Sequence, residues 1–522
     1  MFTGISACST STRSSSGGES GGGESGGGSE GGGGSKRGSL DLVFPVNGVT
    51  SVATDITAIR IAAENIDTLT IDASNIDISP PLAGNVVTIN DEEVQYQIAG
   101  SLNSNTIYTV EVFGLTSTSG DSVDTDSWSF TTASTTISYD CSSNTVHCVD
   151  DTAGINQEYS SIQVAVDITQ PGDVVLVFDG DYDGFRFQKS GTSSQRITVV
   201  AAGQGSSITG SEPSGAAVRF QNASYITVDG FIVNRSGSPL VNDYDKACFA
   251  ARGASSGSPM NSIHILNNHL TGCNPAGMYL SNVGNLNIIG NTIQLTNEVT
   301  GTSNTKGMGM YLANSGVDNA VIVENKILNN KGHGIHFNGD SSVGGDGLQT
   351  GHIIQRNFFV GNGRNAFNMD GVQNVLVENN VFNGQNKHGV RGFKIDGSDG
   401  PKDFTIVNNT FYNNESPVKF TNDEGGHVLY NNIVIDHDDN SFNITGGISF
   451  ESNNLFSTSE TATFTDAANE DFRLKSGSSA VNGGVASFQG KSAPSSDISS
   501  ASRQGAPDNG AFEFGSSYPS WY

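Results

Sequence analysis

The chain has 522 residues, enough for two or three domains, with 53 acidic against 25 basic side chains and a formal net charge of −28 at pH 7. That balance excludes a general nucleic-acid or anionic-membrane surface and leaves room only for a local cationic site. Sixty-six glycines, many asparagines and few charges favour a turn-rich all-β chain over helices, and no run of about 18 apolar residues is present to span a membrane.

The first stretch, 1–39, is a Gly/Ser/Glu-rich tract of the composition of a flexible tether. Within it, the tract at 14–35 follows ISAC (5–8), which resembles the lipobox of bacterial lipoproteins and implies lipidation of Cys8. Residues 40–134 read as short alternating strands between Asn, Gly, Asp and Ser turns. Their end, NTIYTVEVFGLTSTSGDSVDTDSWSFTT, resembles the closing strands of bacterial Ig-like domains, which implies a small β-sandwich acting as a spacer or docking module. Cys141 with Cys148, and Cys248 with Cys273 about one repeat further on, suit two disulfides of an exported protein. Free buried thiols at 248 and 273 are the alternative.

From 139 to 522 the chain repeats. An Asn that follows an apolar run recurs at 268, 291, 325, 357, 380, 409, 432 and 454, spaced 23, 34, 32, 23, 29, 23 and 22 residues apart. A unit of 22–24 residues with insertions is the period of a parallel β-helix coil. The Asn column reads as structural, joining coil to coil at tight turns where left-handed geometry is tolerated. A leucine-rich solenoid shares the period, but its leucine pattern is absent. The stretch from PGDVVLVFDGDYDGFRF (171–187) to PDNGAFEF (507–514) resembles right-handed parallel β-helix polysaccharide enzymes of the pectate-lyase type.

One strand per coil has the form small–apolar–X–apolar: GMYL (277–280), GMYL (309–312), GIHF (334–337), AFNM (366–369), GFKI (392–395) and PVKF (417–420). Strand alternation sends the apolar pairs inward and X outward. The outward column is then Tyr279, Tyr311, His336, Asn368, Lys394 and Lys419, preceded by Arg186 and Arg219. Two residues on, Asp370 and Asp396 share a second column, while the near-invariant Gly or Ala before each apolar pair predicts a flat trough beside the ladder. His333 lies in the loop before His336, and Arg391 just ahead of Lys394. Insertions at 296–306 and 338–350 are expected to wall a groove. Ten of the 25 basic residues fall between 300 and 420, so the expected partner is an acidic polysaccharide, bound by Tyr279, Arg391, Lys419, Arg219, Arg186 and His333.

Three functions follow. The first is β-elimination of a uronate-containing polysaccharide, in which one group neutralises the carboxylate, a base removes the C5 proton and an acid protonates the leaving oxygen. RGFKIDG (391–397) resembles the strand carrying the catalytic Lys in one group of β-helix pectate lyases. That resemblance implies Lys394 as base, Ca2+ as cofactor, and Asp370 and Asp396 as its ligands. A metal-free version uses Asn368 to neutralise, His336 as base and Tyr311 as acid. The second function is hydrolysis by the Asp370/Asp396 pair; NMDG, GHG and RGFK resemble polygalacturonase motifs, in the reverse order for GHG and NMDG. The third is a glycan-binding surface protein without catalysis. The expected molecule is a monomer, secreted or held at the cell surface by its lipid, with no nucleic-acid partner.

Overall fold

Turn-forming residues between short apolar strands set the architecture. A computed structural model describes residues 39–44, most of 58–132, and 139–522 apart from 153–156, 237–242, 254–259, 297–305, 314–315, 342–345, 395–396, 436–437 and 520. The expectations for Cys8, the 1–38 tether and Asp396 lie outside the described residues. The chain divides into a unit ending at Thr135 and a second, Thr136–Tyr522. Among the described residues no helix is long and apolar enough to cross a membrane.

In the N-terminal unit seven strands form two antiparallel sheets, of four and three strands. Ile107–Val112 alternates strictly between exposed and buried positions, placing Tyr108, Val110 and Val112 in the core with Trp128 and Phe130 of the paired strand Asp126–Thr131.

The C-terminal unit is a right-handed parallel β-helix. Among the described residues its strands form three long parallel sheets of eleven, ten and thirteen strands, ten successive coils giving one strand to each sheet. The helix Ile162–Ile168 buries Ile162, Ala165 and Val166 against the first coils, covering a core and strand edges that would otherwise be open. Interior aromatic rings stack along the axis, Phe359 on Phe382 at 5.3 Å and Phe382 on Phe411 at 4.7 Å. Past the last coil the chain packs back across the outside of the eleven-stranded sheet, where Phe464, Phe472 and Phe512 join Phe358, Val381 and Ile433 in one buried cluster.

The Asn column runs inside the coil corners. Asn268 donates from Nδ2 to Oδ1 of Asn291, and the same contact continues through Asn325, Asn357, Asn380, Asn409, Asn432 and Asn454 at 2.9–3.1 Å. Each Oδ1 also accepts the backbone N–H of the preceding Asn, as Asn357 does from Asn325, so the amides are saturated although buried. The left-handed backbone falls on the residue before: Asn267, Glu324, Arg356, Asn379, Asn408, Asn431 and Asn453 all have positive φ. Bend and hydrogen-bond column are thus divided between adjacent positions. A second ladder, Asn330, Asn362, Gln385 and Asn414, saturates another corner. Both expected disulfides form, Cys141–Cys148 and Cys248–Cys273.

Candidate active site

The ten-stranded sheet carries the ladder. Its register places Arg186, Arg219, Ala250, Tyr279 and Tyr311 in one outward column. His336, Asn368, Arg391, Lys419 and Asn443 continue it. Rungs on neighbouring coils are ~4.8 Å apart. Every position expected for this column is on it except Lys394.

At that coil the strand is His388–Phe393, with Val390 beside Phe367, Arg391 beside Asn368 and Gly392 beside Met369. Arg391 therefore occupies the rung, and Phe393 is outward rather than in the core. The physical reason is volume: a Cβ on Gly392 would lie 2.8 Å from the Phe420 ring and 3.0 Å from Pro401. Glycine stands where the template demands a second large apolar residue, because Phe420 of the next coil already fills the space. Lys394 is exposed beyond the strand end, three residues past the rung.

Two further expectations change. Gly277, Gly309 and Gly334 form no trough: they are buried, and a Cβ on each would meet Ile293, Ile327 and Phe359 of the neighbouring sheet at 2.5–3.1 Å. Tyr279 is not an open stacking platform. Tyr244, from the short 3-10 turn Tyr244–Lys246, lies over it with centroids 5.3 Å apart and meets Tyr311 edge-on at 4.8 Å. Tyr279 keeps 5 % of its surface. The Arg252 guanidinium sits 5.7 Å from its ring centre and, with Arg219, pairs with Asp245 at 3.2 and 3.6 Å. Tyr244 lies in a turn ahead of the strand and carries no repeat signal, while Arg252 ends the strand Phe249–Arg252 two residues after the inconspicuous rung Ala250, beside Ser281, where no outward residue marks the coil.

The remaining rungs meet on four consecutive coils. The Tyr311 and His336 rings stack at 4.9 Å. Burial holds the His336 imidazole well below its ordinary range, at about 4, so it is neutral at physiological pH, though a weaker proton acceptor than an exposed histidine. Its Nδ1 is sealed from solvent with no partner among the described residues. Tyr311 accepts a hydrogen bond from Asn338 Nδ2 at 2.9 Å, and its pKa is raised chiefly by burial, so the phenol keeps its proton. Arg391 reaches Thr421 Oγ1 from Nη2 at 3.5 Å and lies 5.2 Å from the Phe393 ring centre, while Nη1 is buried without a partner among the described residues. Asp370, 1 % exposed, shares the next column with Asn338 and accepts from Ser398 Oγ at 2.6 Å.

Flanking the ladder three residues upstream runs a column of which the sequence reading named only His333: His333, Asn365, His388 and Ser416, all buried. His333 Nδ1 accepts from the Asn365 N–H at 3.3 Å, Asn365 Oδ1 from the His388 N–H at 3.1 Å, and His388 Nδ1 meets Ser416 Oγ at 2.9 Å. Its residue types do not repeat; only their constant offset from the correct rungs reveals them.

Among the described residues no three His, Cys, Asp or Glu side chains converge on a point where a metal could sit. Asp370 is committed to Ser398, and Asp396 lies outside the described residues. With one of the two expected ligands outside the described residues, no step is derived through Ca2+.

Residues 142–344 match the family profile described as periplasmic copper-binding protein (NosD), over less than half of the chain. No curated protein sequence matches. Among solved structures the fold is similar to that of pectate lyase Pel9A, with 18 % identity, TM-score 0.53, and coverage of 71 % of this chain and 96 % of that one. A rhamnogalacturonan lyase (16 %, TM-score 0.44, 61 % and 90 % covered) and the polygalacturonase of Erwinia carotovora ssp. carotovora (14 %, 0.42, 62 % and 96 %) are more distant. At 18 % identity the likeness to Pel9A establishes one thing, the right-handed parallel β-helix.

Proposed function

We propose that this chain is an exported carbohydrate-active enzyme that cleaves a uronate-containing polysaccharide by β-elimination on the ladder. The observation that carries the reading is Arg391, whose buried Nη1 has no described partner one rung beyond Asn368 and two beyond His336. A buried guanidinium nitrogen left unpaired is costly unless a ligand completes it, and a planar carboxylate matches its fork. With the substrate carboxylate held by Arg391 and Asn368, the charge that builds up as the C5 proton leaves is stabilised where it develops. Neutral His336 takes that proton; the C4–O bond breaks as the C4–C5 double bond forms, and Tyr311 donates its proton to the departing oxygen. Cys141–Cys148 and Cys248–Cys273 support export, since such bonds persist in oxidising compartments. The β-helix neighbours named as pectate and rhamnogalacturonan lyases support a polysaccharide as substrate.

The test is to incubate the full chain with polygalacturonate, alginate and other polyuronates, with and without EDTA, following ultraviolet absorbance of an unsaturated end and new reducing ends together. Unsaturated product that survives EDTA supports the reading. Reducing ends without unsaturation would replace it with hydrolysis, and product abolished by EDTA would restore the Ca2+ mechanism with Lys394.

A further inference from the structure

Backbone amides determine which way the groove's asparagines point. An N–H group only donates, so the Asn365 atom that accepts from the His388 N–H at 3.1 Å is its oxygen. Its other terminal atom is then the NH2 nitrogen, and the Asn368 atom 2.9 Å away is an acceptor, Oδ1. Asn368 therefore turns its own NH2 away from Asn365, and that group makes no other hydrogen bond with a described residue. The same logic applies one coil earlier. Asn338 Oδ1 accepts from the Asp340 N–H at 2.9 Å, so its Nδ2 donates to the Tyr311 oxygen and leaves the phenolic proton for another acceptor.

We propose that Asn365 and Asn338 are positioning residues that give the groove a single hydrogen-bond polarity. They turn Tyr311 and Asn368, the rungs on either side of His336, into donors: Tyr311 toward the departing oxygen, and Asn368, next to Arg391, toward a carboxylate, so that the Asn368 rung selects an acidic sugar. The proposal rests on the reading above and deepens it. A neutral sugar offers hydroxyls that donate or accept equally well, whereas a carboxylate accepts only. Were the Asn368 amide reversed, its carbonyl oxygen would face that carboxylate beside Arg391 and oppose it. The column His333–Asn365–His388–Ser416 thereby acquires a purpose: Asn365 takes its orientation from a main-chain N–H that cannot change sign, and passes it outward.

Asn365→Asp is the decisive variant. The carboxylate still accepts from the His388 N–H, but it offers Asn368 an acceptor, so Asn368 rotates its NH2 inward. Expected is a fall in kcat/KM on the best polyuronate of about 10–100-fold, the size of one hydrogen bond to a charged group, together with a lower Tm from burying a carboxylate at a 4 % exposed position, so the comparison of backgrounds decides. In an Asn368→Ala background the same change is expected to cost less than about threefold, because the residue it acts through is gone. Equal losses in the two backgrounds would overturn the proposal, showing that Asn365 acts through charge or folding. A second measurement needs no substrate and no altered fold: side-chain amide hydrogen exchange in the 15N-labelled protein, assigned with Asn365→Ala and Asn368→Ala. Protection of the Asn365 NH2 with faster exchange at Asn368 is expected; protection at Asn368 instead would overturn it. No turnover on any polyuronate would count against the proposed function, and the exchange result would still decide the polarity.

Discussion

Tyr311 and His336, on successive coils of one parallel sheet, stack their rings 4.9 Å apart with 15° between the planes. A protonated phenol and a neutral imidazole are thus held face to face, each kept in that state mainly by burial. The proposed elimination needs an acid and a base side by side, and the sheet spacing sets the distance between these two rings.

The pH profile follows from the base. A base works deprotonated, so kcat/KM on a polyuronate is expected to stay level downward through neutral pH and fall tenfold per unit below about pH 4, where His336 gains its proton. An unperturbed histidine would place that limb near 6.5. His336→Gln is expected to lose about 10²–10⁴-fold in kcat. A limb that stays in the variant would assign it to another group.

Arg391 and Lys394 separate two registers of one strand. Arg391→Ala is expected to lower kcat/KM by about 10–100-fold through the unpaired carboxylate. Lys394→Ala is expected to stay within about threefold of the parent, an exposed cation off the ladder being worth little. Comparable kinetics of both variants in the same assay check this, and the opposite order would return the base to Lys394.

Histidines held below their ordinary range by burial make the fold acid-sensitive, and seven are so held among the described residues. Burial lowers His336 and His388 to about 4 and His352 to about 3. Their folded values lie below the unfolded one, so each binds an extra proton on unfolding. The stability they contribute is fully present above pH ~6.5 and is lost as pH falls toward the folded values. Each contributes a slope of up to about 1.4 kcal/mol per pH unit in that window. Urea midpoints between pH 7 and 5 check the expected decline, and His352→Asn should flatten it without touching the active face.

The Asn column predicts a gradient of cost along the helix. Asn357→Ala strips the buried N–H of Asn325 of its acceptor and the carbonyls of Ile322 and Gln355 of a donor. At about 1–3 kcal/mol for a buried group left unmet, a loss of roughly 3 kcal/mol or more is expected. Asn454→Ala, on the last and half-exposed coil, should cost less. Chemical denaturation of both variants tests the order.

Much of this was legible in the sequence because the β-helix repeats its solution. The Asn spacing identified the coils, and the apolar pairs of five strands, Met278/Leu280 through Met369 and again Val418/Phe420, lie in the core as their alternation requires. Legibility failed where one coil solved the packing differently. Gly392 left its core position to Phe420, so the pattern matched three residues too late and promoted Lys394 over Arg391. Ala250 gave its coil no outward marker. Tyr244 closes over the first aromatic rungs from a turn outside the repeat, where periodicity carries no information.

The locked corner amides also govern how such a chain can change. Between the ladder asparagines the path lengthens from 23 residues to 34 and 32 around Asn325, yet Tyr279, Tyr311 and His336 stay in register. Each corner resets the count, so residues added in a turn are forgotten by the time the chain returns to the active face. The turns are therefore free to be rewritten while the rungs keep time.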